Sequence, residues 1–412
     1  MDQTTDIVQQ AADKLYKSHY GKIVSSLLQF SPGIQLETVE DVVHDSFAAA
    51  LTAWQKESIP ANPAGWIFTV CRNKILNKLK KEKRVTLISD VEDFNVPEPE
   101  FSEAVFDDYQ LRLLFACAHP DLSPKVQVVI TLKYVVNLKV EAIAKALGMT
   151  IDGIDKLLLR ARQKIKTEKI LLAEPVVADL SYRLPIVHKI IYLIYNEGYK
   201  PSTGDEVLEE ELCEEALHMN KTLLDSRIGN KDTSALYALM LFNAARFKTR
   251  FNAAGELSDL EEQNRILWDQ NLIRMACDFL EQSRGESMST YHYEASIAFL
   301  HCTAKTFQTT DWHLISNLYL RLLQMNPNPF VELNYAIALY YAGEKDKAFN
   351  ILNALQRQTL LNKYYLLNAT LGKIHFLEGN YPRAKAYFLE TLKQTNVKAE
   401  KDFIQKMIKK TG

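Results

Sequence analysis

Apolar residues recur at spacings of three and four along most of this 412-residue chain. This spacing places apolar side chains on one face of an α-helix, because the helix has about 3.6 residues per turn. One such stripe consists of Tyr16, Tyr20, Ile23, Val24, Leu27 and Leu28. Glycine (14) and proline (13) are scarce, and no run of short alternating segments is bounded by turn residues. The pattern predicts an all-α protein, and the length predicts two or three domains.

Charge is distributed unevenly along the chain. The net charge of -2 excludes a uniformly basic nucleic-acid binder, but it does not exclude a local basic patch. Residues 72–84 carry seven basic side chains and one acidic one, whereas residues 89–108 carry eight acidic side chains and no basic one. The acidic segment also contains Pro97 and Pro99, which is typical of a linker. We therefore predict helical domains at 1–88, 109–174 and 180–412, with an acidic linker at 89–108.

The segment from Val140 to Arg162 has the pattern of a helix-turn-helix unit. Gly148 suits a tight turn, and the hydroxyl of Thr150 suits the N-cap of a second helix. That helix has one apolar face, formed by Ile154, Leu158, Ala161 and Ile165. A second helix held in this way enters the major groove of DNA. The predicted DNA-contacting residues are Thr150, Asp152, Lys156, Arg160, Arg162 and Lys164. The alternative is an ordinary helical hairpin with a solvated basic face.

A second candidate nucleic-acid segment precedes the linker. Trp66 and Phe68 lie close in sequence to Arg72, Lys74 and Lys78. Aromatic rings stack on unpaired bases while cations hold the phosphates, so this mixture suits opened, single-stranded DNA. The alternative, favoured for the tryptophans alone, is that they are core residues beside a solvated basic face.

The order of these segments resembles a sigma factor of the extracytoplasmic-function class, in which region two is followed by region four. In DVVHDSF, Asp41, Asp45 and Phe47 match the family pattern, whereas His44 stands where glutamine is usual. A second family pattern maps onto Trp66, Arg72, Asn73, Asn77, Lys80 and Lys81, with Asn77 replacing an aspartate.

The resemblance implies two partners, the RNA polymerase core and promoter DNA. Region two would bind the polymerase clamp helices through Asp41, His44, Asp45 and Phe47. It would bind the melted minus-10 element through Trp66, Arg72, Asn73, Asn77, Lys80 and Lys81. Region four would bind the minus-35 element and the polymerase flap.

The C-terminal region contains an internal repeat. Ala336, Gly343, Ala348 and Leu352 are followed 36 residues later by Gly372, Gly379, Ala384 and Phe388. This spacing is close to the tetratricopeptide period of about 34 residues. The alternative is that two similar helical hairpins arose by chance.

The segment RLPIVHKIIYLIYNEGYKPS resembles the start of a helical extension in one subgroup of these sigma factors. That resemblance implies a tetratricopeptide-like regulatory domain with a protein or peptide partner. Glu197, Arg265 and Trp268 are candidate residues for a partner groove. Interhelical packing is the favoured alternative for all three.

Sequence signatures of catalysis are missing. The chain has no HExxH, P-loop or GxSxG motif, and its histidines are not at metal-ligand spacing. We therefore expect no enzymatic activity, no cofactor and no metal. The five cysteines form no CxxC motif, and no apolar run reaches the roughly 18 residues of a membrane span. With no apolar signal region at the N-terminus, these features predict a cytoplasmic protein without a membrane partner.

Two rival hypotheses belong to other functional classes. One is a helical-repeat adaptor whose N-terminal half is a diverged sigma-like module, which the departures at His44 and Asn77 and the acids Asp152 and Asp155 would explain. The other is a repressor that uses the helix-turn-helix without polymerase. It leaves the basic, aromatic segment 66–84 unexplained.

Overall fold

The computed structural model describes residues 3–31, 33–85, 103–170, 172, 179–201, 208–226, 228–252, 255–358, 365–395 and 397–412. The helices in these ranges are α1 (Gln3–Phe30), α2 (Leu36–Glu57), α3 (Pro63–Val85), α4 (Glu103–Cys117), α5 (Pro124–Tyr134), α6 (Val140–Ala146), α7 (Ile151–Thr167), α8 (Leu180–Tyr199), α9 (Glu210–Asp225), α10 (Lys231–Ala244), α11 (Gln270–Gln282), α12 (Thr290–Thr303), α13 (Trp312–Met325), α14 (Pro329–Tyr341), α15 (Lys345–Leu355), α16 (Tyr365–Leu377), α17 (Tyr381–Gln394) and α18 (Lys398–Lys410). Within the described ranges the only β-pairing is one isolated bridge between Phe251 and Leu257. The prediction of an all-α fold is confirmed.

The chain forms two compact units. The first comprises residues 1–203 and 208–228, and so contains α1 to α9, while the second contains α10 to α18. The structure thus places this boundary near 228, not near 180 as the sequence suggested. The physical reason is that α8 packs on α5 and α9 packs on α4. Arg183 strengthens this attachment, since its buried guanidinium donates to the carbonyl of Phe115 on α4 over 3.0 Å.

A three-helix bundle begins the first unit. Five of the six residues in the stripe predicted on α1 are buried, with Ile23 and Leu27 fully inaccessible to solvent, and Tyr16 is half-buried. It packs against α2 and α3, which contribute Val39, Trp54 and Ile67 to the same core. Burying each large apolar side chain stabilises the fold by roughly 1.5–3 kcal/mol, so this core holds the three helices together.

Four helices follow the bundle: α4 packs on α1, and α5, α6 and α7 pack on one another. Helix α4 starts at Glu103, inside the segment predicted as linker, so residues 103–108 are helical. The rest of the predicted linker, up to residue 102, lies outside the described residues.

The second unit is built around α10, whose side chains are buried on nearly all faces between α11 and α12. Further along the chain, α14 and α15 form one helical hairpin, and α16 and α17 form another. The turns contain Gly343 at φ +89° and Gly379 at φ +72°, a conformation that glycine adopts at little cost. The 36-residue sequence repeat therefore corresponds to these two hairpins.

Candidate nucleic-acid interface

Helix α7 is the second helix of the helix-turn-helix unit. Gly148 has φ +62° in the turn, and the Thr150 hydroxyl accepts a hydrogen bond from the Gly153 amide at 3.1 Å. Ile154, Leu158 and Ala161 are buried against α5 and α6, as the sequence stripe predicted. The cap and the buried stripe fix which face of α7 points outward.

The outward face of α7 carries the exposed side chains of Asp152, Lys156, Arg160 and Gln163. Asp152 and Lys156 form an ion pair of 2.7 Å, four residues apart on the helix. Lys156 therefore offsets the negative charge that would repel a phosphate near the start of the helix. Arg160 follows one turn later and is exposed.

Two basic residues predicted to contact DNA are instead engaged within the protein. Arg162 is half-buried, donates to the Tyr134 hydroxyl at 2.6 Å, and lies 3.4 Å from the Glu37 carboxylate. Lys164 donates to the backbone carbonyl of Asp121 at 2.6 Å. Contact of Arg162 and Lys164 with DNA stays a prediction, and in this structure both side chains are held by groups of the first unit.

The contact of Arg162 joins the helix-turn-helix part to α2. Glu40 of α2 lies 3.8 Å from Arg162 and forms a shorter ion pair, 2.8 Å, with Lys133 of α5. Burial raises the pKa of Tyr134, which lies beneath this cluster, to about 12. Sequence reasoning missed Glu37, Glu40 and Lys133, since no local pattern reveals a pair nearly one hundred residues apart.

Close backbone packing accompanies these ion pairs. A Cβ atom at Gly21 of α1 would lie 1.8 Å from the carbonyl oxygen of Val135, just after α5. Only glycine permits this approach, because a backbone atom cannot move aside as a flexible side chain can. The α1–α3 bundle and the helix-turn-helix part are therefore in direct contact.

Helix α3 presents a second candidate surface. Asn73, Asn77 and Lys80 are exposed and, at spacings of four and three, share one face. Trp66 lies seven residues before Asn73 on the same face. Its ring is half-buried at 5.7 Å from the buried ring of Trp54. Trp66 thus packs partly against the core while keeping part of its surface outside.

Arg72 and Lys81 complete the set predicted on α3. The Arg72 guanidinium lies over the Phe30 ring, 5.3 Å from its centroid, and the side chain is half-buried. This places Arg72 beside the exposed face and not at its centre. The side chain of Lys81 lies outside the described residues.

Helix α2 carries the residues predicted to bind polymerase. Asp41, His44 and Asp45 are exposed, and the His44 ring makes a 2.9 Å hydrogen bond with the Tyr16 hydroxyl. Phe47 is buried and meets the Tyr16 ring edge-on at 4.9 Å. Phe47 therefore belongs to the core and positions α2, and its contact with polymerase stays a prediction.

The residues of the predicted partner groove, Glu197, Arg265 and Trp268, are distributed over both units. Glu197 is buried in the first unit, whereas the other two belong to the second. Arg265 lies over the Trp268 ring at 4.8 Å and donates to the carbonyl of Ala304 at 2.9 Å. Trp268 is buried, and its indole N–H donates to the Thr249 hydroxyl at 2.9 Å. Arg265 and Trp268 thus make internal contacts in the second unit, and their part in a partner groove stays a prediction.

Comparisons with known families match three segments of the chain. Sigma-70 region 2 matches residues 15–85, and Sigma-70, region 4 matches residues 112–165. A family of unknown function (DUF6596) matches residues 183–284.

Two curated relatives match the chain. The Bacillus subtilis (strain 168) protein RNA polymerase sigma factor YlaC is 26% identical over 161 residues, which cover 37% of this chain and 89% of YlaC. The Rhizobium meliloti (strain 1021) protein "Uncharacterized protein R00370" is 30% identical over 348 residues, 82% of this chain and 81% of that protein. The chain belongs to the family of this rhizobial protein. Its two sigma-70 regions make it a sigma factor of the extracytoplasmic-function type. No solved structure gave a significant match.

This sigma factor carries its two matched regions on α1–α3 and α4–α7, the helices that bear the exposed faces described above. In the part of the chain that the structure describes, no three His, Cys, Asp or Glu side chains are grouped to hold a metal ion. Among the same residues, no helix has the length and apolar character needed to cross a bilayer.

Proposed function

We propose that this sigma factor directs bacterial RNA polymerase to specific promoters, with α3 contacting the melted minus-10 element and α7 contacting the minus-35 element. The observation that carries the proposal is the pairing of the two sigma-70 regions with two exposed faces of suitable chemistry. The second compact unit then acts as a fused regulatory domain.

The chemistry of α7 supports contact with duplex DNA. Arg160 is exposed on the outward face, and an arginine can donate two hydrogen bonds to the major-groove edge of guanine. Gln163 is exposed on that face and can pair with adenine in a similar way. Lys166 and Lys169, also exposed, suit phosphate contacts after the groove-reading turns.

The chemistry of α3 supports contact with opened DNA. Trp66 retains exposed ring surface on which an unpaired base can stack. Asn73 and Asn77 offer donors and acceptors on the same face, and Lys80 offers a cation for phosphate. The polymerase contact is assigned to the exposed carboxylates Asp41 and Asp45 on α2, beside His44.

Run-off transcription with core polymerase and candidate promoters tests the role of α7. Arg160→Glu reverses one exposed charge, so it should abolish promoter-specific initiation while leaving the helical circular dichroism unchanged. Arg274→Glu, an equivalent reversal at an exposed position of α11, is the matched control and should initiate normally. Normal initiation by Arg160→Glu would contradict placement of α7 in the groove.

Co-purification with core polymerase tests the role of α2 and separates the rival hypotheses. Replacing Asp41 and Asp45 by lysine should weaken association with the core enzyme. A repressor acting alone would bind promoter duplex without polymerase, and an adaptor would neither bind the core nor direct initiation. Either result with the unaltered chain would overturn the proposal.

The regulatory role of the second unit rests on its two repeated hairpins, which resemble tetratricopeptide repeats. Such stacked hairpins commonly present a concave surface to a peptide or protein. A chain that ends at Ile228 retains the whole first unit. Its initiation should differ from that of the full chain in the run-off assay. Equal activity of the two chains would contradict a regulatory role.

A further inference from the structure

The second unit contains a cavity of about 340 Å³. Its lining comes from helices α12, α13, α14, α16, α17 and α18, from Phe307 and from the segment 259–261. A volume of this size lies at the lower end of the range for pockets that bind small molecules. None of the residues assigned to DNA or polymerase lines this cavity.

Aromatic rings form one wall of the cavity. The rings of Trp312 and Tyr341 are stacked, with centroids 4.7 Å apart and planes inclined by 28°. Phe307 meets Tyr341 edge-on at 4.9 Å, which holds the stacked pair in place. Ile337 and Ile374 also line the cavity. A wall of this composition favours a flat apolar body, and the ring faces attract a cation.

Charge at the cavity is unbalanced. Lys373 pairs with Asp259 at 3.2 Å and with Glu261 at 3.0 Å, and all three residues line the cavity. Two carboxylates against one ammonium leave one negative charge in excess. The side chains of Asp259 and Glu261 are 28% and 30% exposed, so an entering ligand can reach them.

His301 supplies a polar group that lacks a partner. It lines the cavity, and its buried Nδ1 has no hydrogen-bond partner within the described residues. Burial, with smaller contributions from Arg246 and Arg265, lowers the pKa of His301 to about 3, so the ring is neutral. The two arginines lie behind it, with Arg265 bonded to the Ala304 carbonyl and Arg246 over the Trp268 ring. A buried polar atom without a partner is unfavourable, and a ligand heteroatom would relieve this.

We propose that this cavity binds a small planar aromatic molecule bearing one cationic amine. The ring packs against Trp312 and Tyr341, the amine neutralises the excess charge of Asp259 and Glu261, and a ring heteroatom reaches His301. The site is separate from the promoter-contacting faces, so it stands whether or not the proposed function does.

Isothermal titration calorimetry on the full chain tests the proposal with two probes that share an indole ring. Tryptamine carries an ammonium group, whereas indole-3-acetate carries a carboxylate. We expect tryptamine to bind about tenfold more tightly, because the aromatic wall and the excess carboxylate both favour the cation. Equal affinity, tighter binding of indole-3-acetate, or binding of neither probe would overturn the proposal.

Variants locate the binding in this cavity. Trp312→Ala should weaken tryptamine binding about tenfold, since it removes the stacking surface. Replacing Asp259 by asparagine and Glu261 by glutamine preserves side-chain shape but leaves Lys373 as the only charge, so the preference should switch to indole-3-acetate. Glu256→Gln, which removes a carboxylate that pairs with Lys406 outside the cavity lining, is the matched control and should keep the tryptamine preference.

Folding of the variants is checked by thermal unfolding. If Trp312→Ala is unfolded, the shape-preserving double variant still decides the matter. A double variant that keeps its preference for tryptamine would overturn the proposal, as would tryptamine binding unchanged in a folded Trp312→Ala protein.

Discussion

Arg162 of α7 forms an ion pair with Glu37 of α2, with 3.4 Å between Nε and Oε1. The pair belongs to a cluster in which Glu40 faces both Arg162 and Lys133. Promoter elements named minus-10 and minus-35 lie about 25 base pairs apart, or roughly 85 Å at 3.4 Å per base pair. A compact unit of this length has a radius of gyration of roughly 17 Å. If both elements are bound at once, this cluster has to open.

Glu40→Gln tests the strength of that closed contact. Glu40 and Lys133 are only 13% and 17% exposed, so loss of the charge leaves a poorly solvated ammonium. We expect the free energy of unfolding in urea to fall by about 1–3 kcal/mol. Glu37 is 43% exposed, so the control Glu37→Gln should cost about 0.5 kcal/mol or less. An equal loss in both variants would contradict the central place given to Glu40.

Gly21→Ala tests the backbone contact beneath the ion pairs. The added methyl group would meet the Val135 carbonyl at 1.8 Å, so either α1 or the end of α5 has to move. We expect a loss of about 1–3 kcal/mol in urea unfolding.

Gly65→Ala on α3 is the matched control for Gly21→Ala. Its new methyl group would meet the side chain of Asn62, at 2.8 Å, which can shift at the expense of the hydrogen bond that Asn62 Oδ1 accepts from the Gly65 amide. Stability of Gly65→Ala should therefore fall by about 1 kcal/mol or less, because alanine is also the better helix former. If Gly21→Ala is equally harmless, the two parts of the first unit do not depend on this approach.

Local pattern was sufficient to predict the framework of the candidate site. The buried stripe of Ile154, Leu158 and Ala161 follows from helical periodicity alone, and the conformations of Gly148 and Thr150 follow from turn and cap chemistry. The repeat likewise predicted paired helices, because small residues and turn glycines recur at a fixed interval. Each of these features depends on residues close in sequence.

Long-range contacts account for what the sequence did not predict. Arg162 has the charge of a phosphate ligand, and only its distance to Glu37 reveals that it is engaged elsewhere. Phe47 fits a surface motif by sequence, yet packing against Tyr16 buries it. The cavity at Trp312 combines residues from six helices and two connecting segments, so periodicity could not have brought them together.

His301 gives the second unit a dependence on acidic pH. Its folded pKa is about 3, below the ordinary value of about 6.5, so between these values only the unfolded chain binds the proton. The stability contributed by the neutral ring is complete above pH 6.5 and is lost as the pH falls toward 3. One such group steepens the dependence of unfolding free energy on pH by at most about 1.4 kcal/mol per pH unit.

Replacing His301 by glutamine should therefore flatten the decline in stability between pH 6.5 and 3, as measured by urea unfolding at a series of pH values. The exposed His313, replaced in the same way, is the control and should leave the curve unchanged. An identical decline in the His301 variant and the unaltered chain would show that the ring titrates normally.

At equivalent positions of the two repeated hairpins, a larger core side chain in one hairpin faces a smaller partner. Ala336 and Leu352 share a core in the first hairpin, and the equivalent residues of the second are Gly372 and Phe388. A Cβ atom at Gly372 would lie 2.6 Å from the Phe388 ring, so the larger side chain is tolerated because the facing residue is smaller. Gly372→Ala alone should lose about 1–3 kcal/mol of stability through overpacking.

Combining Gly372→Ala with Phe388→Leu recreates the pair found in the first hairpin. The leucine makes room for the methyl group, and alanine is the better helix former, so the double variant should be more stable than the sum of the single changes by about 1 kcal/mol or more. A double-mutant cycle in urea, followed by circular dichroism, measures this coupling. Additivity within about 0.5 kcal/mol would mean that the two positions do not compensate and that the sequence repeat has no counterpart in packing.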